Sequence, residues 1–146
     1  MSKLRIKLGG RIHTCRVRVL YGDTDAGGVV YYGNYLRYFE RGRTELMREN
    51  SISYKGLEDA GFIIPVVESY LRYKASARYD DLLQISTCLT RVRQVSCRFD
   101  YEIRRVEDGC LLVKGFTAHA VVDRAGKLSK LPGDVLAALT AIAAAV

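Results

Sequence analysis

Two aspartates one residue apart, Asp23 and Asp25, followed by the pair Gly27 and Gly28, form the stretch of this chain best equipped for chemistry. A carboxylate can attack a carbonyl carbon or serve as a base toward water. Glycines let the backbone turn tightly and leave its N–H groups open to a bound molecule. The residues that follow have helical periodicity, and a helix start presents unpaired N–H donors with a partial positive charge that can hold an oxyanion. Acyl-transfer chemistry needs such a donor and a carboxylate together. The spacing leaves the geometry open: in an extended stretch both carboxylates project to one side, whereas in a turn they diverge. Both aspartates also fit a plain role as caps of a turn or of the coming helix. An oxygen-rich metal site would require further ligands clustered in sequence, which are not evident.

Other chemistries have weaker support. There are two histidines: His13 at the start of a strand pattern reads as solvated, and His119 inside a long strand pattern reads as a hydrogen-bonded structural residue. Neither accompanies a G-x-S-x-G elbow, and neither a Walker-type nor a dinucleotide-binding glycine motif occurs. Cys15, Cys88, Cys97 and Cys110 are widely separated, form no C-x-x-C pair, and read as reduced, mostly buried thiols in strands.

The 146 residues fit one domain, with a hydrophobic share of 49% and a charged share of 27% that suit a folded globular chain. Residues 1–12 read as a flexible basic leader that lacks the apolar block of a signal peptide, and residues 13–146 as the single domain. Residues 135–146 contain 12 uncharged residues, too few to span a bilayer, so a cytoplasmic protein without stable membrane insertion is expected. The formal charge of +7 favours polyanionic partners and leaves open nucleic acid, an anionic membrane surface or a phosphate-bearing coenzyme such as coenzyme A.

The elements that must position the aspartates follow from periodicity. Residues 13–20 alternate as a half-buried strand, and residues 32–50 predict one amphipathic helix of about five turns. Gly42 lies inside that helix, which makes sense where a strand crosses beneath and approaches the backbone closely. Residues 54–60 predict a short helix stopped by Gly61. Residues 63–74, 82–92, 95–106 and 110–123 predict four strands in a meander. Asp80-Asp81, Asp108-Gly109 and residues 124–127 supply the turns, and a terminal helix is expected from Asp134. This is an α+β domain in which an antiparallel sheet buries one face on the long helix. One helix leaves apolar sheet surface and edges that dimerisation would cover.

The run DTDAGGVVYYGNYLRYFERGRTELMR at residues 23–48 resembles the signature of hotdog-fold acyl-CoA thioesterases of the 4-hydroxybenzoyl-CoA thioesterase family, particularly its YbgC-like branch. The resemblance continues through IPVVESYLRYKASARYDDLL at residues 64–83 and the strands beyond. It implies a curved antiparallel sheet wrapped around one long central helix, and a homodimer with active sites at its interface, commonly as a dimer of dimers. It implies hydrolysis of an acyl-CoA, with acyl carrier protein as a further candidate carrier, and no cofactor beyond the coenzyme A of the substrate. The family's catalytic carboxylate falls on Asp25, as nucleophile or general base; its oxyanion donor falls on the backbone N–H of Tyr32, and its loop glycine on Gly28. Many members of the branch have His where this chain has Tyr32, so any imidazole role is lost while the N–H remains.

The family's coenzyme A phosphate site aligns with residues 91–96, where Arg91, Arg93 and Ser96 are the candidates, with Arg98 beyond them; Gln94 and Val95 depart from the basic pattern. Pro65, Val66 and Val67 resemble a segment lining the acyl pocket. A hotdog dehydratase would need His on the long helix, and that helix has none. A non-catalytic module holding nucleic acid or acidic lipid through its basic charge is the alternative of a different class, although the basic residues are spread without an aromatic platform.

Overall fold

The computed structural model describes residues 4–143. Five strands, β1 (His13–Arg18), β2 (Val66–Tyr73), β3 (Leu82–Val92), β4 (Ser96–Arg105) and β5 (Leu111–Ala120), form one antiparallel sheet in the order β1-β3-β4-β5-β2. Three helices accompany it: α1 (Tyr35–Glu49), α2 (Tyr54–Asp59) and α3 (Gly133–Ile142). The long helix packs across the sheet, which is the hotdog arrangement.

The apolar stripe of α1 creates this packing. Tyr35, Tyr38, Phe39, Gly42, Leu46 and Met47 recur every three or four residues and are buried. Facing them are alternate residues of the central strands, including Ile85 and Leu89 of β3 and Phe99, Tyr101 and Ile103 of β4. Phe39 stacks on Tyr101 with ring centroids 4.0 Å apart. At Gly42 an added Cβ would drive into the Thr87 hydroxyl and stand 2.9 Å from the Ile85 methyl, so the crossing strand expected there is β3.

Two features of the fold differ from what the sequence predicts. Instead of a four-strand meander, only β3-β4-β5 follow one another; β2 lies at the far edge beside β5, and the connection to β3 crosses the sheet. Gly115 permits this contact, since a Cβ there would collide with the Tyr70 carbonyl of β2. The helix is also shorter than expected, with 15 residues, because residues Tyr32–Asn34 form a 3-10 turn that runs into α1.

His13 is not solvated. Its side chain is 14% exposed and Nδ1 lies 2.8 Å from a Glu49 carboxylate oxygen, because β1 runs beside α1. His119 is buried as expected, with Nε2 2.8 Å from the Thr117 hydroxyl and Nδ1 3.2 Å from the Ile64 carbonyl. The four cysteines are free thiols; Cys88 and Cys97 are buried, Cys15 and Cys110 half-buried, and Cys110 precedes β5 rather than lying in it.

The sheet's other face carries charge, with Arg98 and Asp100 paired at 2.7 Å. Residues 4–12 reach this face, where the Arg98 guanidinium donates to the Arg5 carbonyl at 3.1 Å. Among the described residues no helix is long and apolar enough to cross a membrane.

Candidate active site

Asp25 sits in a tight turn that its own sequence dictates. Its N–H donates to the Val29 carbonyl at 2.9 Å, and its carbonyl accepts from Gly28 at 3.0 Å. Gly28 has φ +81°, the left-handed conformation that a residue without Cβ adopts freely. The Gly27 N–H donates to Asp25 Oδ1 at 2.8 Å, so one carboxylate oxygen serves the turn. Among the described residues Oδ2 has no hydrogen-bond partner. The carboxylate is thus held at one oxygen and available at the other.

Asp23, two residues earlier, does different work. Its Oδ2 accepts from the Leu20 N–H at 2.9 Å and from the Tyr38 hydroxyl at 3.1 Å, and its carbonyl accepts from the Asn34 side chain at 2.8 Å. It ties the loop to the start of α1. The Tyr38 hydroxyl is held protonated, first by burial and then by the adjacent Asp23 charge. The two carboxylates therefore diverge, as a turn allows.

Tyr32 opens the 3-10 turn, three residues before the α-helix proper. Its carbonyl accepts from the Tyr35 N–H, while among the described residues no acceptor takes its own N–H. Asp25 and Tyr32 line one cleft of about 330 Å³, together with Val29, Tyr35, Tyr73 and Lys74. Tyr35 anchors the cleft floor: its buried hydroxyl accepts the Ala77 N–H at 3.1 Å. Two larger hollows, of about 470 Å³ between β1 and α1 and about 570 Å³ between α2 and α3, contain neither Asp25 nor Tyr32.

The other candidates lie elsewhere on this protomer. Pro65, Val66 and Val67 stand where the edge strand β2 begins, with Val66 43% and Val67 64% exposed. Arg91 and Arg93 are exposed at the β3–β4 hairpin, and the Ser96 carbonyl accepts the Arg93 N–H at 2.8 Å. None of these lines the cleft holding Asp25. Arg98 does not join them: its guanidinium is committed to Asp100 and lies 4.0 Å over the Phe116 ring. The sequence reading missed the far wall of the cleft, Tyr73 to Ser76, because β2 reaches it only through the crossover to the sheet edge. Among the described residues no group of three or more His, Cys, Asp or Glu side chains is placed to hold a metal ion.

The fold belongs to a known class. Residues 19–139 match the thioesterase-like superfamily, and the chain belongs to that family. It is 37% identical over 125 residues to the acyl-CoA thioesterase YbgC of Haemophilus influenzae, covering 84% of this chain and 90% of that protein. It is 41% identical over 95 residues to the acyl-CoA thioester hydrolase YbgC of Escherichia coli, covering 65% and 71%. Among solved structures, the DHNA-CoA thioesterase of Staphylococcus aureus superposes with a TM-score of 0.85 at 27% identity, covering 88% of this chain and 89% of that one.

Proposed function

We propose that this chain hydrolyses acyl-CoA thioesters, with Asp25 acting at the thioester carbonyl and the Tyr32 N–H receiving the charge that develops on its oxygen. The observation that carries the assignment is the shared cleft: Asp25, with one carboxylate oxygen unpartnered among the described residues, and Tyr32, whose backbone N–H has no acceptor among them, line the same space. Such donors act on the transition state, where the carbonyl oxygen becomes anionic, and a fixed backbone N–H needs little rearrangement to meet it. The YbgC relatives, named as acyl-CoA thioesterases, support the same substrate class.

The reaction takes up one water and releases a carboxylic acid and coenzyme A, whose sulfur leaves with the bonding electron pair and is protonated. Two routes use the same geometry. Asp25 Oδ2 attacks the carbonyl carbon to give a mixed anhydride that water then opens, or it removes a proton from an attacking water. Single turnover in ¹⁸O-labelled water followed by mass analysis of the Asp25 peptide bears on the choice: label in the Asp25 carboxylate requires an anhydride that water opened at the Asp25 carboxyl carbon, whereas direct attack by water leaves Asp25 unlabelled. Neither route calls for a cofactor beyond the coenzyme A of the substrate.

The reading also calls for a second copy of the chain. Among the described residues the edge strand β2 pairs as a strand with β5, and its exposed Val66 and Val67 with Pro65 form an apolar border suited to another subunit. In a homodimer this segment would line the acyl group held over the partner's Asp25, while Arg91, Arg93 and Ser96 meet the coenzyme A phosphates. A pair of dimers, a homotetramer, and a cytoplasmic location complete the proposal. Solution mass by light scattering tests the assembly. Thiol release from short, medium, long and aromatic acyl-CoAs, and from acyl carrier protein thioesters, tests the activity. Absence of release from every one, alongside tight salt-sensitive binding of nucleic acid, would overturn it.

A further inference from the structure

We infer that Tyr73 is a positioning residue of this site, its hydroxyl holding the backbone turn that carries the oxyanion donor; this rests on the role proposed for the Tyr32 N–H. Tyr73 ends the edge strand β2 and borders the cleft that contains Asp25 and Tyr32. Its side chain reaches across 41 positions of sequence and donates a hydrogen bond to the Tyr32 carbonyl at 3.2 Å. The residue is 48% exposed, so solvent alone would satisfy the hydroxyl; it bonds instead to the backbone of the turn.

The loop side of that turn is held at Asn34, whose N–H donates to the Tyr31 carbonyl and whose side chain donates to the Asp23 carbonyl, both at 2.8 Å. A 3-10 segment has poorer hydrogen-bond geometry than an α-helix, and this one spans Tyr32–Asn34 with Gly33 at its centre. The Tyr32 carbonyl receives the Tyr35 N–H from the helix side, and the Tyr73 hydroxyl adds a second bond from the sheet side. The Tyr32–Gly33 peptide, adjoining the one that carries the Tyr32 N–H, is thereby held between α1 and β2. The stabilisation that a backbone N–H gives an oxyanion depends on a placement held to within about half an ångström. A turn free to rock would spread the Tyr32 N–H over unproductive directions and lose rate without losing substrate affinity.

The ring and the hydroxyl of Tyr73 can be separated. The ring packs against Tyr32 at 6.4 Å and Tyr35 at 5.6 Å between centroids, contacts that phenylalanine would keep. Burial, and then the neighbouring Tyr32, hold the Tyr73 hydroxyl above the usual tyrosine range, so it remains a donor throughout neutral pH.

The test is Tyr73→Phe, assayed with the acyl-CoA that releases thiol fastest. Inhibition is measured with two analogues of that substrate: a trifluoromethyl ketone, whose tetrahedral form carries an oxyanion, and a thioether, which imitates bound substrate only. The expected result is a kcat about 10-fold lower with KM within about twofold of wild type. Ketone inhibition should weaken about as much as kcat falls, thioether inhibition should not change, and the melting temperature should be retained. An unchanged kcat, a change confined to KM, or equal weakening of both analogues would overturn the proposal. Asp25→Asn is assayed alongside. If that variant is inactive and Tyr73→Phe behaves as wild type, the role of Tyr73 fails alone; if Asp25→Asn hydrolyses at the wild-type rate, the reading of the site fails with it.

Discussion

Gly42 of α1 lies against Thr87 of β3 so closely that no side chain fits between them: a Cβ on the helix would enter the Thr87 hydroxyl. That hydroxyl is buried and has no hydrogen-bond partner among the described residues. Helix and strand are thus registered by an absent side chain. Gly42→Ala should lower stability by about 1–3 kcal/mol through overpacking, despite alanine's better helix propensity. Adding Thr87→Ala should recover part of the loss, since it clears the clash and removes an unpaired hydroxyl. Urea unfolding of the two single variants and the double variant measures the coupling; additive losses would contradict this account of the contact.

Gly42 also shows what the sequence made legible. A glycine in the middle of a strongly amphipathic helix signalled a crossing strand, and the D-x-D-x-G-G run before that helix marked out the candidate site. Both rest on local pattern, which periodicity and turn chemistry report well. The position of β2 was not legible, because pairing with β5 rather than β3 is set by the long crossover and by the space at Gly115, not by the strand's own residues. For the same reason Tyr73 escaped notice: it reaches Tyr32 only once β2 occupies the far edge. His13 was misread as solvated because nothing in its strand foretells that Glu49, on the last turn of α1, will stand beside it.

His119 links stability to pH. Burial, and then the nearby Arg43 cation, lower its pKa from 6.5 to about 4. Above pH 6.5 the ring is neutral in both the folded and unfolded chain and adds no pH dependence. As pH falls below that value the unfolded chain takes up a proton that the folded one refuses, so stability declines until pH approaches 4. The loss from this residue should reach about 2–3 kcal/mol by pH 4.5. His119→Asn should flatten the difference between urea midpoints at pH 7 and pH 4.5; an unchanged difference would contradict the assignment.

Asp23 and Asp25 should separate cleanly by mutation. Asp23→Ala leaves the Leu20 N–H and the Tyr38 hydroxyl without their acceptor, which should cost about 1–3 kcal/mol of stability. Its activity should fall as well, because the loop that carries Asp25 is tied less firmly to α1, through the residue 23 carbonyl. Thermal unfolding checks this directly: a melting temperature equal to wild type would show that the Asp23 contacts contribute nothing.

Arg91 and Arg93 are exposed and free to meet phosphates, whereas Arg98 is occupied by Asp100. Replacing Arg91 and Arg93 together by alanine should raise KM for acyl-CoA several-fold with little change in kcat, and weaken the dependence of KM on salt. Asp100→Asn should act on stability instead, since it removes the charge paired with a mostly buried guanidinium. Kinetics of the arginine variant at low and moderate ionic strength give the answer; an unchanged KM would remove both residues from the substrate site.

The central claim concerns one carboxylate oxygen, Asp25 Oδ2. Asparagine keeps the shape of the side chain and an oxygen to accept the Gly27 N–H, so the turn should survive while the nucleophile or base is lost. The most direct test is the kcat of Asp25→Asn for the best acyl-CoA substrate, measured on protein whose melting temperature and solution mass match wild type. A fall of about 10²-fold or more is predicted. A kcat within a few-fold of wild type would contradict the account.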